Sequence, residues 1–123
     1  MKINIVLIIL LLTIITAACY NDNMEYLYPE LPGSCDTTNA TYSGKVKSIM
    51  DNNCVGCHSS SNPQGSVNLD SYSNVKTYVN NGKLMGSINQ TSGFSAMPKG
   101  GSKLSNCNTY TIQIWIDKGS LNN

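Results

Sequence analysis

The sequence contains no arginine, a single histidine, a single tryptophan and a single phenylalanine. Only 12% of its 123 residues are charged, and eight lysines against seven acids leave a formal charge of +1. Without arginine or a basic run there is no electrostatic footprint for nucleic acid. One histidine excludes a zinc finger of the two-cysteine, two-histidine kind, and any metal site built on several histidines of this chain. No internal repeat is visible, and period-two alternation is poor throughout. The length allows one ordinary domain and argues against two. The expected class is therefore mainly α, with long loops.

What is present is uneven. Ten consecutive residues, Val6 to Ile15, hold nine large apolar side chains and Thr13. They follow Lys2 and precede the small residues Thr16, Ala17 and Ala18. A positive start, an apolar stretch and small residues form the layout of a secretory signal. The run is shorter than the roughly 20 residues that span a bilayer. Thr16-Ala17-Ala18-Cys19 also resembles a bacterial lipobox. That resemblance implies removal of residues 1–18 and a lipid-modified Cys19 as the mature N-terminus, with the protein held at a membrane of the cell envelope. Two or more acyl chains give stable anchoring, whereas one is marginal. Residues 19–34, with Pro29, Pro32 and Gly33, read as a tether. The domain proper is expected over residues 35–123.

Within that domain, Tyr42, Val46, Ile49, Met50 and Asn53 share one helical face, so a helix is expected over about 42–53. Ser59 to Gly65 reads as a loop. Asp70 or Ser71 can cap a helix carrying Tyr72, Val75, Tyr78 and Val79, which stops at Asn81-Gly82. Leu84, Met85 and Ile88 suggest one or two further turns. Gln90 to Lys103 reads as loop. The last helix opens on Ser105, carries Ile112, Trp115 and Ile116 on one face, and closes at Gly119. So small a body with so many loops needs support from disulfides, metals or cofactors.

Cys54-Val55-Gly56-Cys57-His58 reads C-x-x-C-H, the signature of c-type haem attachment. Two thiols add to the haem vinyl groups, and the adjacent imidazole ligates the iron. C-x-x-C alone also makes redox dithiols, simple disulfides and half of a zinc site. A redox dithiol wants a βαβ setting, which is missing here, and a zinc site of this kind lacks a second C-x-x-C. With His58 used, the second iron ligand must come from elsewhere, and methionine is its usual partner in cytochromes c. Met24 lies in the tether, while Met50 and Met85 sit on apolar helical faces. Met97 lies in the loop Phe94-Ser95-Ala96-Met97-Pro98-Lys99-Gly100-Gly101, where no helical period assigns it to a core. It is the preferred candidate, with Met85 or an open or non-methionine sixth position as alternatives.

The segment 35–123 resembles small class I-like cytochrome c domains of bacterial exported lipoproteins. The matching pieces are the helix entering Cys54-x-x-Cys57-His58, the Val67-x-Leu69-x-x-Tyr72 stretch, Met97-Pro98-Lys99-Gly100-Gly101, and Ile112-x-x-Trp115-Ile116-x-x-Gly119. The resemblance implies the cytochrome c fold, about three to five helices around one covalent haem c, with His58 and Met97 on the iron and the terminal helices crossing. One departure is visible. Many such domains follow the histidine closely with a proline whose backbone fixes the imidazole. Here four residues intervene before Pro63, so the acceptor of the His58 Nδ1 proton stays open.

Leu69, Tyr72, Leu84, Phe94, Leu104 and Trp115 are the candidate apolar wall of the haem. Lys99 and Lys103 flank the methionine loop and are candidates for partner docking, or ordinary solvated lysines. Cys35 and Cys107 remain; in an oxidising compartment they suggest a disulfide, with two buried thiols as the alternative. The functional expectation is an electron carrier between redox proteins outside the cytoplasm, not an enzyme. The competing classes are a haem enzyme or gas or redox sensor with a labile sixth ligand, and a haem-free binding module.

Overall fold

The structure, a computed structural model, describes residues 35–123. The expectations for the signal 1–18, for Cys19, for the tether and for Met24 lie outside the described residues.

Chain entry is fixed by a cap. Thr41 is extended, and its Oγ1 accepts from the Gly44 amide at 3.0 Å. A π-helical turn, Tyr42–Val46, runs directly into α1, Lys47–Asn53. The apolar stripe is the buried one: Tyr42, Val46, Ile49 and Met50 all lie in the core. Helix α2, Tyr72–Asn80, is capped by Ser71, whose side chain accepts from the Asn74 amide. Asp70, the other cap candidate, is engaged elsewhere. Gly82 takes the left-handed conformation, φ +73°, that turns the chain into α3, Lys83–Ile88. Helix α4, Asn106–Asp117, starts from Ser105, which accepts from the Asn108 amide at 3.2 Å.

Four α-helices and the π turn account for about half of the described residues, so the chain is mainly α. The segment expected as pure loop contains a minimal antiparallel pair, β1 His58–Ser59 with β2 Asn62–Pro63. His58 faces Pro63 and Ser59 faces Asn62. Two residues per strand are too few to write an alternation into the sequence. Among the described residues no helix is long and apolar enough to cross a membrane.

The core joins the start of the domain to its end. Tyr42 meets Tyr72 edge-on at 5.0 Å between centroids and lies 5.6 Å from Trp115. Buried aromatics with polar tips need partners for those tips. Trp115 Nε1 donates to the Leu121 carbonyl at 2.8 Å, and the Tyr72 hydroxyl donates to the Ser120 carbonyl at 2.9 Å. Asn123 closes the arrangement. Its carbonyl and Oδ1 accept from the Ser43 and Tyr42 amides, donors that the opening helical turn cannot satisfy itself.

Cys35 and Cys107 form a disulfide with Cα atoms 5.5 Å apart, as expected from the sequence. It ties the start of the domain to the first turn of α4. Beside it, Asp36 pairs with Lys45, and the Lys45 ammonium with the Thr38 hydroxyl and amide holds the Asp36 carboxyl well below its usual range.

Candidate functional site

The C-x-x-C-H segment begins where α1 ends. The Cys54 and Val55 amides still donate to the Met50 carbonyl, at 2.8 and 3.0 Å. The chain then tightens around Cys54, whose carbonyl accepts from the amides of Cys57 at 3.1 Å and His58 at 3.0 Å. Asn62 braces the turn from outside by donating to the Gly56 carbonyl at 3.0 Å. Four residues of the motif, Cys54, Val55, Cys57 and His58, are thus held by local backbone bonds.

His58 is fixed at three atoms. Its amide bonds back to Cys54, and its carbonyl accepts from the Leu69 amide at 2.7 Å. Its Nδ1 lies 3.1 Å from the Gln64 carbonyl. A carbonyl can only accept, so Nδ1 is the donor, and in the neutral ring this leaves the Nε2 lone pair able to hold a metal. This settles the acceptor that the spacing left open: it is the residue following Pro63. Gln64 is held in turn, since its amide donates to the Cys57 carbonyl at 3.0 Å.

Asp70 stabilises the same hairpin. Its Oδ2 accepts from the Ser60 amide at 2.9 Å, and this bond, with the Ser60 side chain, pulls the Asp70 carboxyl below its ordinary value of 3.8. A carboxylate with a depressed pKa stabilises the fold above its unfolded value and loses that contribution as pH falls through the folded value. The protection of the Ser60 amide against hydrogen exchange is therefore expected to fall as pH drops below about 4. In Asp70→Asn that protection should be independent of pH over the same range. A parallel fall in both proteins would remove Asp70 from the account.

Next to the motif lies a cavity of about 660 Å³. This is within the ~300–1,000 Å³ usual for ligand and cofactor sites. Cys54, Cys57, His58 and Met97 all line it. Its apolar surface comes from Val67, Leu69, Leu84, Ile88, Phe94 and Leu104, with Tyr78 alongside. Four of the six candidates, Leu69, Leu84, Phe94 and Leu104, line this cavity. Tyr72 and Trp115 are corrected: neither lines the cavity, because both are committed to the aromatic cluster with Tyr42. Of the residues not foreseen, Ile88 was readable, being one turn from Leu84 on the same face. Val67 and Tyr78 carried no signal that separated cavity from core.

The methionines are sorted by the same geometry. Met50 is fully buried in the core, and Met85 packs against that core. Of the described methionines, only Met97 lines the cavity. Its loop is attached to α3 through the Met97 amide, which donates to the Ser87 carbonyl at 3.1 Å. The Met97–Pro98 peptide is cis. Upstream, the Phe94 ring lies directly on Gly86, where a Cβ would come within 2.5 Å of it. Gly86 thus lets this ring reach the cavity while remaining 41% exposed.

Cys54 and Cys57 are both free thiols, the first partly buried and the second exposed. Burial pushes the Cys54 thiol up to about 11. A dithiol oxidoreductase lowers the pKa of its attacking cysteine instead. Among the described residues no three His, Cys, Asp or Glu side chains gather as a metal-holding group. A structural zinc ion would need such a set. A haem iron needs only axial donors, because the porphyrin supplies the other four. No protein-family model, curated protein or solved structure matches the chain.

Proposed function

We propose that this protein is a monohaem c-type cytochrome that carries single electrons between redox proteins outside the cytoplasm, anchored to a membrane by lipid on Cys19. One observation carries the reading. A single, largely apolar cavity is lined by both thiols of C-x-x-C, by its histidine, and by Met97 from a loop some forty residues away.

The residues fit the group. Cys54 and Cys57 would each add S–H across a vinyl double bond, sulfur to one carbon and hydrogen to the other. His58 would offer Nε2 to the iron, with Gln64 holding the ring and its tautomer. Met97 would offer its thioether from the opposite segment of chain. Bound iron would supply the one-electron ferric/ferrous couple. The apolar side chains of Leu69, Leu84, Ile88 and Leu104 would limit water around a bound haem, which together with thioether ligation would favour a high potential. If His58 and Met97 both held the iron, no position on it would be left for a substrate, in keeping with a carrier. The cytochrome c fold belongs to the same proposal. The contact of Tyr42 with Trp115, which joins the first helical segment to α4, is in keeping with it.

The test is spectroscopic. Protein matured in a host that attaches haem c should retain haem after denaturation. In the ferric state it should show the weak far-red charge-transfer band of methionine–iron ligation. Covalent haem that lacks this band and binds carbon monoxide would turn the reading to a sensor or enzyme. Failure to acquire haem would leave a haem-free binding module.

A further inference from the structure

We propose that Lys83 and Lys99 form a carboxylate-holding pair that takes the two propionates of the porphyrin. The inference rests on the cytochrome reading and adds to it the anionic end of the ligand. Residues 35–123 contain seven lysines, four aspartates and no glutamate. The four acids are engaged away from the cavity. Asp36 pairs with Lys45 and Asp51 with Lys47. Asp70 accepts from Ser60, and Asp117 accepts from Gln113. Lys76 is spent on the Gly119 and Ser120 carbonyls.

Lys83 and Lys99 differ from these. Both line the cavity, and no carboxylate among the described residues lines it with them. They belong to two elements joined by one hydrogen bond. Lys83 opens α3, Ser87 lies one turn later, and the Ser87 carbonyl accepts from Met97, two residues before Lys99. Two uncompensated cations therefore stand at a cavity that is otherwise mainly apolar. Both lysines are exposed, so an anionic group meeting them gains charge-assisted hydrogen bonds, and protoporphyrin carries two carboxylates at one edge. Lys103, which flanks the same loop, does not line the cavity.

The test uses the full-length chain carrying Cys54→Ser and Cys57→Ser, so that porphyrin binding is reversible. Ferric protoporphyrin IX and its dimethyl ester are titrated separately and followed by the Soret band. Two exposed ion pairs predict that the free acid binds roughly two- to thirtyfold tighter than the ester. Adding Lys83→Gln and Lys99→Gln should abolish that preference, Lys→Arg at both positions should restore it, and Lys103→Gln should leave it intact. Equal binding of acid and ester by the chain with both lysines, or a preference that survives Lys83→Gln/Lys99→Gln, would overturn the lysine assignment alone. Failure of both porphyrins to bind, with helix content unchanged, would overturn the cytochrome reading beneath it.

Discussion

Replacing Met97 by alanine should abolish the far-red band of the ferric protein and lower its midpoint potential by on the order of 0.1 V or more. Axial ligands set haem potentials over a range of ~0.8 V, and thioether ligation lies toward the high end. The haem should stay covalently attached, because Cys54, Cys57 and His58 are held by bonds that do not involve the Met97 loop. No other described methionine is placed to compensate. Met50 is buried in the core from α1, and Met85 packs against the core from α3. The variant should also acquire affinity for carbon monoxide or imidazole at the opened position. An unchanged band and potential would mean that a different residue ligates the iron. The fold itself should tolerate the change, since Met97 is only partly buried.

Removing the disulfide should have the largest effect on stability. Cys35 and Cys107 are separated by 72 residues. Constraining a loop of that length stabilises by roughly 4 kcal/mol in the chain-entropy model. For a domain of this size, such a loss corresponds to a fall in Tm of roughly 15–30 °C. The bridge joins the start of the domain to the first turn of α4, while Tyr42 meets Trp115 in the last turns of the same helix. Cys35→Ser/Cys107→Ser should therefore melt earlier, with the helix ends fraying first. Thermal unfolding of the holoprotein, followed by helix signal and haem absorption, measures both. A fall of only one or two degrees would show that the aromatic cluster and the Asn123 contacts hold the ends together unaided.

The sequence was most informative where structure depends on near neighbours. The stripe from Tyr42 to Met50, the Ser105 cap and the left-handed Gly119 were all readable, because each is set within a turn or two of chain. The pairing of Cys35 with Cys107 was readable for a different reason: they were the cysteines left without another chemistry. Tyr72 and Trp115 were misplaced because periodicity reports which face of a helix is buried, not what it is buried against. Both are amphipathic, and their polar tips found carbonyls in the tail at Ser120 and Leu121. The Tyr72 bond spans 48 residues, beyond the reach of any local pattern.

The sequence by itself determined the local chemistry of the proposed site. C-x-x-C-H needs only the five residues that leave α1, and their backbone bonds to Cys54 and Met50 close over those same few residues. A lone histidine already required any second axial ligand to be something else. Tertiary structure decided what those residues face. It brought the Met97 loop to the cavity through Ser87, gave the His58 imidazole the Gln64 carbonyl, and put Lys83 and Lys99, but not Lys103, on the cavity lining. Each of these depends on chain segments meeting across a core. Core burial is non-directional, so it draws apolar faces together without specifying in advance which polar groups will meet.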